Sequence, residues 1–106
     1  MAKAHLVARA EVLDIADRAA FDRCYATYQP HALGDKGFRR ATGWRCWSRS
    51  DPAVHYAFYE FADVRQAEAL IGSETIKPQV ADFDRVWGNR VSRRREILEI
   101  VQEMTS

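Results

Sequence analysis

Cysteine is scarce: Cys24 and Cys46 are the two in 106 residues, and their spacing is neither a CxxC pair nor a metal-binding cluster. No disulfide framework is expected, and with no signal-like apolar run ahead of them a reduced, cytoplasmic protein is the natural expectation. Long hydrophobic runs are missing too. None approaches the roughly 20 residues that a bilayer-crossing helix needs, so no membrane partner is expected. Charge of one sign is equally lacking, because 16 basic and 15 acidic side chains leave a formal net charge of +1. The chain as a whole therefore has no strong pull toward polyanions, and nucleic acid is not an expected partner. There is no Gly-rich phosphate loop, no nucleophile elbow and no paired-cysteine motif. His5, His31 and His55 show no i, i+4 pairing and no obvious carboxylate partner in the sequence, so neither a metal nor a cofactor is expected.

What is present is enough apolar residue, 47% of the chain, to pack one domain over residues 1–106. "HLVARAEVL", His5 to Leu13, alternates so that Leu6, Ala8, Ala10 and Val12 share one face and Val7, Arg9 and Glu11 the other: a strand with one dry side. Asp14 or Asp17 can cap a helix whose stripe is Phe21, Cys24, Tyr25 and Tyr28, ended or bent by Pro30 and Gly34. After "GDKG", the aromatic run "FRRATGWRCWSR" and the segment "VHYAFYEF" flank the turn signal "RSDP" and read as a hairpin. Asp63 caps a helix with Val64, Ala67, Leu70 and Ile71 inward, stopped by Gly72. Ile76, Val80, Phe83 and Trp87 form the stripe of a further helical stretch with Pro78 in its first turn, and "RVSRRREILEIV" is a last, long strand. The basic run Arg93–Arg95 alternates between faces and reads as a solvated edge.

The order βαββαβ with right-handed crossovers predicts an α+β, ferredoxin-like domain: a four-stranded antiparallel sheet with both helices on one side. The other side of the sheet is left over. In the third strand Tyr56, Phe58 and Glu60 form one set and Ala57, Tyr59 and Phe61 the other, so both of its faces are apolar. For the second strand the pattern favours Phe38, Thr42, Trp44 and Cys46 toward the helices, with Arg45 and Trp47 on the open side; a one-residue slip would reverse this. Leaving such aromatics in water forgoes several kcal/mol, at about 25 cal/mol per Å². Something must cover them.

"HYAFYEF" resembles the third strand of an RNA-recognition motif in Tyr56, Ala57, Phe58 and Phe61. Yet Val54 stands where a phosphate-binding cation belongs, His55 replaces the glycine and Tyr59 the aliphatic residue. "LVARAE" supplies no companion aromatic and adds Glu11. Nearly the whole chain, through "KGFRRATGWR", "YEFAD" and "DFDRVWGNRVSRRREI", is similar to the dimeric α/β barrel superfamily, the antibiotic-biosynthesis-monooxygenase-like and stress-responsive barrel proteins. That resemblance implies a homodimer in which two open sheet faces meet and enclose a lumen. It implies a small apolar or aromatic ligand there, and a cofactor-independent monooxygenase or isomerase as the activity, with a non-catalytic stress-related or assembly protein as the alternative and an RNA-binding module behind both. The Asn, Trp and His set of the superfamily's haem degraders does not carry over, because the only Asn is Asn89 and no His follows His55.

On this reading the lumen residues are Arg9, Arg45, Trp47, Tyr56, Phe58 and Glu60, the aromatics as walls and an arginine as anchor for an anionic or phenolic group. Glu60 and Tyr56 are the candidate proton-transfer groups, and His31, beyond the first helix, is a candidate base at a cavity mouth. The competing account of Arg9, Glu11, Arg45 and Glu60 is mutual ion pairing that satisfies buried charge and fixes a dimer register.

Overall fold

The computed structural model describes residues 3–33, 42–74 and 76–105, and the backbone alone for 28–33. Along the chain lie β1 (Ala4–Val12), a single 3-10 turn (Ile15–Asp17), α1 (Arg18–Leu33), β2 (Thr42–Trp47), β3 (Val54–Phe61), α2 (Val64–Ile71), α3 (Lys77–Trp87) and β4 (Val91–Glu99). The four strands form one antiparallel sheet in the order β2-β3-β1-β4, with β1 and β3 inside and β2 and β4 at the edges. This is the ferredoxin-like arrangement expected from the element order.

The local signals act where their chemistry requires. The Asp63 carboxylate accepts from the Gln66 amide at 2.9 Å, satisfying a donor that the first turn of α2 leaves open, while Pro78 sits in the first turn of α3, where no amide is needed. Between β2 and β3 the Asp51 side chain accepts from Ala53 N–H and its carbonyl from Val54 N–H, closing the turn. Asp14 caps the 3-10 turn through Ala16 N–H. Pro30 does not end α1, which continues to Leu33. Gly34, the "GDKG" turn and Phe38 lie outside the described residues.

The alternation in β1 reads as expected. Leu6, Ala8, Ala10 and Val12 are buried with Ala57, Tyr59 and Phe61 of β3 against Phe21, Tyr25, Ala67, Leu70, Ile76, Phe83 and Trp87 from the helices. Phe21 is the hub, fully buried and edge-on to Trp47, His55, Phe83 and Trp87 at 5.3–6.0 Å between ring centroids. Arg93, on the helix side of edge strand β4, lies over the Phe83 ring and pairs with Asp84 at 2.6 Å.

Strand β2 departs from expectation. Its register sets Trp44 opposite Phe58 and Cys46 opposite Tyr56, which puts Thr42, Trp44 and Cys46 on the open side; Arg45 and Trp47, opposite Ala57 and His55, face the helices. The physical cause is Asp22 on α1, which accepts from Arg45 Nη1 at 2.6 Å and from Trp47 Nε1 at 2.7 Å. Both edge-strand side chains gain a charged partner only with this parity. Alternating aromatics at 44 and 47 cannot reveal that.

Candidate functional site

The open side of the sheet is built row by row from the strand register. One row is Cys46, Tyr56, Arg9 and Arg94; the next is Trp44, Phe58, Val7 and Glu96; a third is Thr42, Glu60, His5 and Leu98. Trp44 and Phe58 stack across the strands with centroids 5.2 Å apart and planes 8° from parallel, and Phe58 continues to Tyr56 at 6.1 Å. Trp44 is 39% exposed and Leu98 42%. Among the described residues no helix covers this aromatic run.

Around it lie the charges. Glu60 is held by Lys3 at 3.3 Å, and His5, directly across from it on β1, approaches at 3.9 Å while its ring stands edge-on to Trp44 at 5.1 Å. The carboxylate partner that the sequence did not offer His5 is therefore supplied by strand pairing. Hydrogen bonding to Glu60 raises the pKa of Lys3. Along β1 and β4 a depression of about 170 Å³ is lined by Val7, Arg9, Tyr56, Arg94 and Glu96; Glu60 lies outside its lining.

Of the residues expected around a lumen, Arg9, Tyr56, Phe58 and Glu60 share this face. Arg45 and Trp47 do not, and Trp44 and Arg94 stand on it instead. The mutual pairing expected among Arg9, Glu11, Arg45 and Glu60 is not found within the chain: Arg45 pairs with Asp22 and Glu60 with Lys3. His31 falls in α1, and its side chain lies outside the described residues.

The helix side holds a different polar group. His55 is fully buried and caged by Tyr25, Trp47 and Phe21 at 4.8–5.3 Å, and neither ring nitrogen has a hydrogen-bond partner. Burial, with the nearby Arg45 charge adding and Asp22 opposing, pushes its pKa down to about 4, so the ring is neutral in the fold. The Asp22 carboxyl is held below its usual range by its bonds from Trp47 and Arg45. The sequence placed His55 at the start of a strand without marking it as buried. Its pairing with Ala10 on one side and Trp47 on the other carries it under α1. Beneath α2 and α3, a slot among Leu6, Ala8, Tyr25, Tyr59, Leu70 and Ile76 holds about 30 Å³, the space of a single water. Among the described residues no cluster of His, Cys, Asp and Glu is arranged to hold a metal, and no helix is long and apolar enough to cross a membrane.

No protein-family signature matches the chain, and no curated protein sequence does. Solved structures do. A mutant form of SnoaB, a cofactor-independent oxygenase from Streptomyces nogalater, is similar with a TM-score of 0.68 and 14% identity over 98% of each chain. A protein of unknown function from Nitrosomonas europaea is similar with a TM-score of 0.69 and 19% identity over 100% of this chain and 96% of that one. An antibiotic-biosynthesis-monooxygenase-like protein from the same organism follows, with a TM-score of 0.68 and 10% identity over 95% and 93% of the two chains. These likenesses span essentially the whole domain, and they show that the chain shares the ferredoxin-like fold of these proteins.

Proposed function

We propose that two copies of this chain close their open sheet faces on each other and hold a small, largely apolar or aromatic molecule between them, with cofactor-independent oxygenation or isomerisation as the reaction class. The observation that carries the reading is the run Trp44, Phe58, Tyr56 on a face that no helix covers among the described residues. An isologous contact of about 800 Å² per partner is of the right size to bury it. Two depressions of about 170 Å³ brought together reach the lower end of the range for small-molecule cavities, roughly 300 Å³. The segment after β4 supports the same partner: Ile100 N–H donates to the Lys3 carbonyl, yet Val101 and Met104 beyond it are 89% and 84% exposed.

In such a lumen the chain's own contribution is to bind the ring between Trp44, Phe58 and Tyr56, to exclude water, and to accept a proton. Glu60, fixed by Lys3 and beside His5, and the Tyr56 hydroxyl are the groups placed to do so. A substrate made electron-rich by losing that proton is the kind that oxygen attacks without a cofactor. SnoaB is a cofactor-independent oxygenase, and that likeness motivates the reading here.

Sedimentation velocity at micromolar concentration, with mass spectrometry of small molecules that co-purify, tests the proposal. A dimer of the 12.2 kDa chain carrying an aromatic compound is expected. A strict monomer overturns the reading, as does a ligand mapped by crystallography between Tyr25 and Tyr59 on the helix side.

A further inference from the structure

The strand register places Arg9 and Arg94 directly opposite each other in the β1–β4 pair, side chains on the open face. Like charges in directly opposed positions destabilise a sheet unless a counter-charge is present. Four other arginines have one: Arg45 pairs with Asp22, Arg85 with Asp82, Arg90 with Asp17 and Arg93 with Asp84. Among the described residues Arg9 and Arg94 have none, although Glu96 lines the same depression two residues along β4. The lining therefore carries two guanidiniums against one carboxylate. Tyr56, opposite Arg9 on the β3 side, supplies a ring wall, and Val7 an apolar one with Phe58 across from it.

We propose that Arg9 and Arg94 form a two-guanidinium clamp for the carboxylate of a small aromatic acid, whose ring lies against Tyr56 and Phe58. This rests on the reading of the open face as a ligand site, and it deepens that reading by naming the ligand class. The planar fork of guanidinium matches a carboxylate in bidentate geometry, which a phenol or an amide cannot reproduce. Because both arginines belong to one chain, the clamp does not need the second copy to exist.

Calorimetric titration of the full chain with benzoate and with benzamide, its neutral analogue of the same shape, reads the clamp directly. Benzoate is expected to bind about tenfold or more tightly than benzamide, the size of a hydrogen bond to a charged group. Arg94→Met removes that preference while leaving benzamide binding unchanged, and Arg94→Lys restores only part of it. Arg94 is exposed, so these variants retain the fold, which circular dichroism checks. Equal binding of the two probes, no benzoate binding at millimolar concentration, or an Arg94→Met chain with its preference intact each overturns the clamp. Sedimentation of the same samples separates the two readings. A monomer that still prefers benzoate keeps the clamp and sinks the homodimer. A dimer that Arg94→Met dissociates, with no benzoate preference in the parent, assigns the guanidiniums to carboxylates of the partner subunit and sinks the clamp.

Discussion

The two faces of one sheet differ in what answers for their aromatics and charges. On the helix side Phe21, Tyr25, Trp47 and His55 are enclosed by their own chain, and Asp22, reaching in from α1, is matched by Arg45 and Trp47. On the open side Trp44, Phe58 and Tyr56 are as aromatic, yet they stand half-exposed beside Arg9, Arg94, Glu11 and Glu96, which find no ion-pair partner among the described residues. The first face is finished within the monomer. The second has the composition of an interior without a covering helix among the described residues, and this contrast is what a ligand or a second copy would resolve.

The largest expected effect probes the finished side. Phe21 touches rings from β2, β3 and α3, so Phe21→Ala removes the hub and leaves a cavity that rigid neighbours cannot fill. A loss of about 3–5 kcal/mol is expected in urea unfolding, enough to unfold a marginal domain. Phe58→Ala on the open face should cost the monomer much less. If the two losses are equal, the open face is already closed by something within the chain.

Next in size is the acid response of His55. Its folded pKa lies near 4, below the ordinary 6.5, so the unfolded chain binds more protons between these values and stability falls as pH drops from about 6.5 toward 4. Below pH 4 both states are protonated and this loss levels off. The linked loss is of the order of 3 kcal/mol, at about 1.4 kcal/mol per unit. His55→Phe, which keeps a ring in the cage of Phe21, Tyr25 and Trp47, should flatten the stability profile between pH 6.5 and 4.5 and remove the two unpartnered nitrogens. A profile as steep as the parent's would place the acid sensitivity elsewhere. The Asp22 carboxyl, depressed below its usual range, loses its contribution only at lower pH, as its own folded pKa is crossed.

How far the sequence reached follows from periodicity. The alternation of β1 and the double-sided β3 gave their faces correctly, because a period of two with one dry set leaves little choice. The stripes Ile76, Phe83, Trp87 and Ala67, Leu70 likewise identified α2 and α3. Strand β2 was read with reversed parity because "TGWRCW" places an aromatic on each face, and the deciding partner, Asp22, is remote in sequence. The same non-locality hid the His5–Glu60 and Arg9–Arg94 juxtapositions, which exist only once β1 is threaded between β3 and β4. A βαββαβ order implies that threading but not the register, which sets His5 opposite Glu60 in the β1–β3 pair and Arg9 opposite Arg94 in the β1–β4 pair.

Trp44 and Trp47 offer the smallest and most discriminating comparison, since they are three residues apart on one edge strand and look to opposite sides. Trp47 donates to Asp22 at 2.7 Å and carries the Arg18 guanidinium over its ring. Trp47→Phe keeps the apolar bulk and loses the bond to a carboxylate that remains partly exposed, so a monomer cost of about 1 kcal/mol is expected, with the self-association constant unchanged. Trp44 stacks on Phe58, so Trp44→Phe keeps that stack and should leave monomer stability within about 0.5 kcal/mol. In the proposed dimer its effect belongs to the assembly: an indole in an isologous contact is met twice, and trimming it should weaken the dimer about tenfold. Unfolding at low concentration and sedimentation equilibrium, run on both variants, read the two quantities apart. Were Trp44→Phe to lower monomer stability and spare association, the open face would be behaving as a second interior, and the case for a partner or ligand upon it would fail.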